Sequence, residues 1–289
     1  MMVTGKPLSA QAEAAQTGTP QTTKSSKASK GLLAFRDLSS GLGQHWLWRS
    51  LAMQDIILRY RGSILGPLWL TLSSAIMIAA MGFLYSQIFH LPAAEYVPFL
   101  AVGLLTWQFI SAMISDGCTV FMSVQHVIQQ VRLPYMTHVF RSVFRNVVIL
   151  GHNAILIPIA FAAVGHPVGW EALLCIPALL VLCINGVWIS LLLGMVSARY
   201  RDVPPIVAAL LQVVFFVTPV FWTVETLGKY RHVGEFNPLF AAIDIVRAPL
   251  LGQPVSAHSW AIVGLLTVTG LVVTAEFFRR FRSRIAYWV

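Results

Sequence analysis

Six long intervals without an Asp, Glu, Lys or Arg residue divide this chain of 289 residues. The intervals are 62–94, 96–115, 146–170, 172–198, 203–224 and 248–275. A helix needs about 20 mostly apolar residues to cross a hydrocarbon core of roughly 30 Å, and each interval is long enough. A spanning backbone has no water to bond, which favours helices, and the short alternating segments of barrel strands are not seen. The sequence therefore predicts an all-α integral membrane protein with six transmembrane helices.

Composition and charge placement support this class and give an orientation. Of the residues, 57% are hydrophobic and 11% charged, against roughly 25% charged in soluble domains. With the N-terminus inside, only Lys229, Arg231 and Arg247 of the 20 Lys and Arg residues lie outside. By the positive-inside rule, both termini are predicted to be cytoplasmic. The net charge of +9 is thus a topology signal, and no nucleic acid partner is expected.

The chain before the first span is predicted to have two parts. Residues 1–43 begin with a Ser-, Thr-, Gln- and Lys-rich stretch that has few large apolar side chains, and we expect a disordered cytoplasmic tail. Residues 44–61 carry Trp46, Met53 and Ile57 on one helical stripe. They predict an N-terminal amphipathic helix that lies in the membrane interface.

Residues 62–289 are predicted to form the six-span domain. The spans are expected at about 66–89, 97–120, 144–165, 170–197, 203–222 and 256–277. The longest internal cytoplasmic connection is 121–143, in which Arg132-Leu133-Pro134-Tyr135 should end one short helix and start another. Residues 223–254 are too charged to span and too apolar for a solvated loop. A re-entrant periplasmic hairpin between spans five and six is therefore expected.

Six short motifs occur in order along the chain. They are RYRGSILGPLW at 59–69, YVPFLAVGLLTWQ at 96–108, RLPY at 132–135, RYRDVP at 199–204, FFVTPVFW at 215–222 and NPL at 237–239. Together they resemble the ABC-2 type permeases that export cell-surface polysaccharides. The sequence is most similar to the O-antigen and lipopolysaccharide branch, and capsule and teichoic-acid permeases share much of the pattern.

The resemblance implies a partner set and a location. It implies a homodimer in the bacterial inner membrane, bound to two copies of a cytoplasmic ATP-binding subunit. The substrate is a glycan on a polyprenyl pyrophosphate carrier. The chain itself has no P-loop pattern, so ATP and Mg are expected on the partner, and this chain is expected to be neither an enzyme nor a cofactor protein. No Cys/His metal spacing is present.

Two arginines at the start of the first span are candidates for contact with the carrier. Arg59 and Arg61, with Tyr60 between them, are expected at the depth of the inner headgroups. A guanidinium group binds phosphate oxygens through a bidentate fork, which suits a pyrophosphate. The alternative is that both residues only anchor the span.

Aromatic residues are the second candidate set, because sugars stack their C–H faces on aromatic rings. The predicted wall and gate residues are Tyr85, Trp107, Phe215, Phe216, Phe221 and Trp222. The alternative is an interfacial belt and ordinary helix packing. The resemblance further assigns the periplasmic gate to the hairpin, with Asn237, Pro238, Asp244 and Arg247 as its candidate residues.

The cytoplasmic connection is the third candidate. In this connection, the residues that we expect to contact the ATPase are Gln129, Gln130, Arg132, Leu133, Pro134 and Tyr135. The alternative is a plain inter-span loop.

A proton-coupled carrier would need ionisable residues inside its spans. Asp116 is the one candidate for this role within the predicted spans. We favour a helix-end carboxylate that bonds a neighbouring span.

Two other functions are weighed against polysaccharide export. A membrane-embedded glycosyl or acyl transferase would need clustered carboxylates or a His–Asp pair near a headgroup, and the sequence offers neither. A small-molecule exporter of the same superfamily would share the six spans. It should lack the RYRGS-like start and the aromatic-rich gate.

Overall fold

The computed structural model describes residues 25–59, 61–63, 66, 68–88, 90–224, 228–229 and 231–289. Within these ranges the chain is helical and contains no strand, which confirms the all-α class. The helices are α1 Ser25–Gly43, α2 His45–Arg59, α3 Leu68–Ile88, α4 Ala93–Thr119, α5 Gln125–Gln130, α6 Tyr135–Asn153, α7 Leu156–Val164, α8 Cys175–Arg199, α9 Val203–Val217, α10 Arg231–Glu235, α11 Pro238–Leu250, α12 Ala257–Phe281 and α13 Ile285–Trp288. Tyr60 and residues 1–24 lie outside the described ranges.

Five helical segments among the described residues are long and apolar enough to cross a membrane. They are Leu68–Ile88, Ala93–Thr119, Tyr135–Val164, Trp170–Arg199 and Ala257–Trp288. The predicted fifth span coincides with α9, whose 15 residues rise only about 22 Å. This helix ends because Pro219 favours an extended Thr218, with φ −88° and ψ 135°. The sixth crossing stays a prediction.

The connections between these segments define two ends of the helix bundle. The arginine-rich end carries Arg132, Arg199 and Arg282, and the opposite end carries His90 and Gly165.

The third segment begins earlier than the sequence indicated. Its helix α6 starts at Tyr135 and not at 144, so the first nine residues of this helix occupy what was predicted as cytoplasmic connection. The boundary between two helices at Arg132–Tyr135 is confirmed, because α5 ends at Gln130 and Pro134 precedes the first turn of α6. A proline at this place favours a helix start, since the missing N–H has no helical partner there.

The prediction of a disordered tail over 1–43 is wrong for residues 25–43, which form α1. This helix packs against α6 and α12. The sequence did not show this, because a polar helix of this length is ordered by tertiary contacts and not by its own propensity. The next helix, α2, matches the predicted 44–61 helix closely; its place in a membrane interface stays a prediction.

Helix α4 is the centre of the bundle. In its most apolar window 67% of residues are buried, against 17–22% in the other four candidate spans. It packs most extensively on α8. At Gly117 a Cβ would lie 2.8 Å from the Cα of Ser190, so glycine lets the two backbones approach closely. Small residues have this role at helix contacts in membranes.

The predicted hairpin region 223–254 contains the short helix α10 and the longer α11. Helix α11 packs against α4, α8 and α12, and most of its residues are buried. It therefore belongs to the hydrophobic core of the bundle. Whether this segment re-enters a bilayer stays a prediction.

Candidate translocation site

Four aromatic side chains from different parts of the chain form a continuous series of ring contacts. The ring of Tyr85 on α3 lies 5.4 Å from that of Phe221. Phe221 lies 5.6 Å from Phe215 on α9, and Phe215 lies 5.5 Å from Trp107 on α4. Aromatic pairs stabilise each other at such separations. The structure therefore brings together residues that the sequence only placed on separate helices.

The other two predicted aromatic residues join the same group. The ring of Phe216 lies 5.4 Å from Phe215 and 6.2 Å from Phe221, and the side chain is 61% exposed. Trp222 donates its indole N–H to the carbonyl oxygen of Phe216 at 3.1 Å. All six predicted side chains thus form one aromatic cluster: Tyr85, Trp107, Phe215, Phe216, Phe221 and Trp222.

The turn after α9 holds this cluster against the rest of the bundle. The hydroxyl of Tyr96 on α4 donates to the carbonyl oxygen of Phe221 at 2.7 Å. A Cβ at Gly103 would lie 2.7 Å from the carbonyl oxygen of Val220, so a larger residue would push the turn away. The position of Phe221 therefore depends on α4.

Arg247 is the most deeply buried of the predicted gate residues. Its side chain lies on α11 and the residue is 4% exposed. The guanidinium donates to the carbonyl oxygen of Pro219 at 3.0 Å and lies 4.0 Å from the ring centre of Phe99. Cation–π contacts of this kind are strongest when the cation is shielded from water. Arg247 thus ties α11 to the turn that carries the aromatic cluster.

Asn237 and Pro238 start α11. The side-chain oxygen of Asn237 accepts the backbone N–H of Leu239 at 2.9 Å, and its amide donates to the hydroxyl of Thr218 at 3.1 Å. This is an N-cap followed by proline in the first turn, which favours a helix start. The cap also fixes α11 to the end of α9.

The fourth predicted gate residue, Asp244, accepts a hydrogen bond from Ser259 at 2.7 Å. It faces a cavity of about 670 Å³ whose wall also contains Arg231 and Glu235. The guanidinium of Arg231 donates to Glu235 at 2.6 Å and lowers the pKa of that carboxyl. The region is thus more charged than the aromatic cluster.

The two predicted carrier-binding arginines are exposed at the arginine-rich end. Arg59 is the last residue of α2, and Arg61 follows in the turn before α3. Neither forms an ion pair within the described ranges. Their guanidinium groups are therefore accessible to a ligand.

The predicted ATPase-contacting residues divide into two groups. Gln129, Gln130 and Arg132 are exposed. Leu133, Pro134 and Tyr135 are half-buried, and the ring of Tyr135 lies 5.9 Å from Phe121 and 5.5 Å from the Arg282 guanidinium. The first group is accessible to another protein, and within it the Gln129 amide donates to the carbonyl oxygen of Val289 at 3.3 Å. The second anchors the segment to the bundle.

An ion-pair network that the sequence analysis missed joins α2, α4 and α6. Arg141 donates to Asp55 in a bidentate pair, with Nε at 2.7 Å. Arg145 donates to Asp55 at 3.1 Å and to Asp116 at 2.8 Å, and Asn146 also donates to Asp116. The interpretation of Asp116 as a carboxylate bonded to a neighbouring span is confirmed. The four-residue spacing of the arginines on one helix face was the available signal.

Asp55 remains ionised within this network. Partial burial raises the pKa of its carboxyl, but the hydrogen bonds and charges of Arg141 and Arg145 more than offset this, so the pKa lies below its usual value. The network therefore holds helix α2 to α6 by charge.

A second missed feature is Asp37 on α1, which is 3% exposed. One carboxylate oxygen accepts the backbone N–H of Met136 in the first turn of α6 at 3.1 Å. The other accepts from Arg282 at 2.8 Å. A carboxylate is favourable at a helix N-terminus, where N–H groups lack partners. Asp37 thus connects the N-terminal helix, the start of α6 and the C-terminal segment.

These features define the class: a polytopic helical membrane protein with an aromatic cluster between its helices and an exposed polar segment at its arginine-rich end. Residues 47–251 match the family model described as ABC-2 type transporter. The chain therefore belongs to the ABC-2 type transporter family, and the predicted resemblance is confirmed.

Three proteins that are similar in sequence to this chain are all named O-antigen export system permease protein RfbA. The protein of Myxococcus xanthus is 25% identical over 178 residues, which are 62% of this chain and 68% of the relative. One from Klebsiella pneumoniae is 22% identical over 229 residues, or 76% and 85% of the two chains. Another from Klebsiella pneumoniae is 21% identical over 244 residues, or 81% and 91%.

Proposed function

We propose that this chain is the transmembrane subunit of an ABC transporter that exports lipid-linked polysaccharide of the O-antigen type from cytoplasm to periplasm. Family membership and the names of the three relatives support this function. In this proposal the chain is a homodimer in the inner membrane. Two copies of a separate cytoplasmic subunit bind ATP and Mg and supply the energy.

The aromatic cluster is the observation that carries the proposal. A long glycan must slide through a conduit without being held, and flat aromatic faces offer stacking with few strong hydrogen bonds. The four rings in contact from Tyr85 to Trp107 provide such a wall. Helix α11, fixed to the cluster by Arg247 and Asn237, then serves as the gate next to it. Capsule or teichoic-acid export by the same fold is the nearest alternative.

Charge placement supports the orientation in this proposal. Six crossings, with α9 and the turn after it as the fifth, leave the arginine-rich end in the cytoplasm with both termini. Helix α2 lies in the inner interface, since Trp46, Ile57 and Leu58 remain exposed on it. The exposed residues Gln129, Gln130 and Arg132 contact the ATPase.

Deletion of the gene tests the proposed function. We expect surface glycan to disappear and lipid-linked polymer to accumulate in the cytoplasm, because synthesis continues while export stops. The measurement is immunoblotting of surface glycan together with extraction of carrier-linked polymer, with plasmid complementation as the control. Normal surface glycan in the deletion strain would contradict the proposal. Loss of glycan without intracellular polymer would point to a role in synthesis instead.

Arg59→Ala combined with Arg61→Ala is expected to block export without loss of membrane insertion. Both guanidinium groups are exposed, so their removal costs little stability but deletes the phosphate-binding forks. Surface glycan and protein abundance are measured together.

The matched control is Arg280→Ala with Arg284→Ala, which removes the same charge from exposed positions at the same end. Export that is equally impaired in both double variants would assign the effect to charge-dependent insertion and not to carrier binding.

A further inference from the structure

A groove of about 410 Å³ lies between α3, α4 and α6, and none of its lining residues belongs to the aromatic cluster. Its lining is mixed: apolar walls enclose the polar side chains Ser73, Ser74, Gln108, Asp116, Asn146 and Asn153, and Arg59 stands at the arginine-rich mouth. We call this the polar groove. None of the sequence predictions assigned it a role beyond Arg59.

The amide groups of the polar groove lie deep in the predicted membrane. Gln108 stands near the middle of α4, about 16 Å along the axis from the arginine-rich end of that helix. Asn153 is the last residue of α6, midway along the segment Tyr135–Val164. At such depth no bulk water is present, and a polar group without a partner is costly.

Both amides have oxygens that are already bonded and N–H groups that are not. Ser74 donates its hydroxyl to the Gln108 side-chain oxygen at 3.0 Å. Thr71 donates to the Asn153 side-chain oxygen at 3.2 Å. The side-chain nitrogens of Gln108 and Asn153 make no hydrogen bond within the described part of the chain. Asn153 is only 6% exposed, and it lines the groove.

The unused groups specify the chemistry of a ligand. Each amide nitrogen offers two N–H donors, and these are matched by a part of the ligand that is rich in oxygen acceptors. Hydroxyl and ring oxygens of a sugar meet this need, whereas a hydrocarbon tail meets none of it. The carboxylate of Asp116 does not compete, because Arg145 and Asn146 already bond it. The guanidinium at the mouth suits a phosphate attached to the same ligand.

We propose that the polar groove binds the neutral sugar residues next to the lipid carrier, with Gln108 and Asn153 as the sugar-recognising residues. This assignment rests on the proposed function and adds the substrate-recognition site within it. The lipid-linked glycan docks here, with its phosphate at Arg59, before the polymer passes along the aromatic cluster.

Photo-crosslinking in the intact transporter tests this assignment. A benzophenone amino acid replaces Met77, a groove-lining residue that is 45% exposed. The transporter, with its ATPase, is reconstituted in phospholipid vesicles with polyprenyl pyrophosphate that bears a tritiated disaccharide. We expect labelling at this position and none with the photoreactive residue at Val268, which is 61% exposed on α12.

The recognition residues are tested in the same assay. Gln108→Leu with Asn153→Leu is expected to reduce labelling about tenfold, since two hydrogen bonds to the sugar are lost. Thr269→Val is the control, because Thr269 is exposed on α12 and bonds only its own helix backbone. If the leucine variant does not fold, competition in the otherwise unchanged chain decides the question. Excess unlabelled glycosylated carrier must suppress labelling clearly more than bare polyprenyl pyrophosphate, which shares only the phosphate contact at Arg59.

Three results would overturn the assignment. The first is suppression of the labelling by bare carrier as strongly as by glycosylated carrier. The second is crosslinking to bulk phospholipid at the level of the glycolipid. The third is crosslinking from position 77 to a second copy of the chain. The outcome is separable from the proposed function. Normal export in the deletion strain with sugar-dependent labelling refutes only the transport role. Abolished export with sugar-independent labelling refutes only the groove.

Discussion

Arg247→Ala is expected to abolish export and to lower the amount of folded protein in the membrane. The residue is 4% exposed, and its guanidinium bonds the carbonyl oxygen of Pro219 and lies against Phe99. A hydrogen bond from a charged group contributes about 1.5–3 kcal/mol, and a shielded cation–π contact about 2 kcal/mol. With the cavity left behind, we expect a loss of about 3 kcal/mol or more.

A conservative variant separates folding from function. Arg247→Lys keeps the charge and most of the stem, but an ammonium group has no planar face to lie on Phe99 and no fork. We expect this variant to insert and to melt only slightly below the wild type in detergent, yet to export several-fold less glycan, because the turn that carries Phe221 is no longer fixed.

Lys229→Ala is the control for the Arg247 variants, since Lys229 is an exposed cation of the same 223–254 segment. Melting in detergent and surface glycan are measured for all three proteins. Wild-type stability and export in Arg247→Ala would refute the role of this residue as the link between α11 and the aromatic cluster.

Asp37→Ala is expected to destabilise the protein by about 2–3 kcal/mol, because hydrogen bonds to a charged group contribute about 1.5–3 kcal/mol and the Arg282 side chain, 29% exposed, keeps some contact with water. The substitution leaves Arg282 without its carboxylate and the N–H of Met136 without an acceptor. Arg282 also lies beside Tyr135. We therefore expect ATPase activity in the assembled transporter to become less dependent on substrate, because the start of α6 next to the exposed segment is loosened.

A double-mutant cycle isolates the pair. Asp37→Asn retains an acceptor for Met136 but loses the charge, and Arg282→Gln removes the other partner. The coupling energy from thermal or denaturant unfolding in detergent should be about 2 kcal/mol. Ser39→Ala, at an exposed position on the same helix, should change stability by less than about 0.5 kcal/mol. A coupling energy near zero would show that the contact does not stabilise the fold.

Local sequence rules located several elements correctly. Long charge-free intervals predicted each of the five segments that are able to span, since length and apolarity are properties of the segment itself. The break at Pro134 followed from the conformational limits of proline. Local rules failed for α1, whose polar residues resemble a solvated tail.

The aromatic cluster shows the limit of those rules. The sequence identified six aromatic side chains as chemically suited to a glycan wall, but it could not show that Tyr85, Trp107 and Phe221 touch. Their contact depends on where the turn after α9 meets α3 and α4. Likewise, Arg247 was grouped with the charges of an outer loop, and only the packing of α11 shows it buried.

By itself, the sequence determined that the chain is a polytopic helical membrane protein of the ABC-2 type. The reason is that apolar spans and family motifs are properties of short contiguous segments. The tertiary structure decided which charges are paired and which polar groups are left over. Asp37 meets Arg282 across 245 positions, and Asp55 meets Arg141 across 86. The unused amides of Gln108 and Asn153 became visible in the same way, since only the packing of α3 against α4 and α6 shows which hydrogen bonds each side chain already makes.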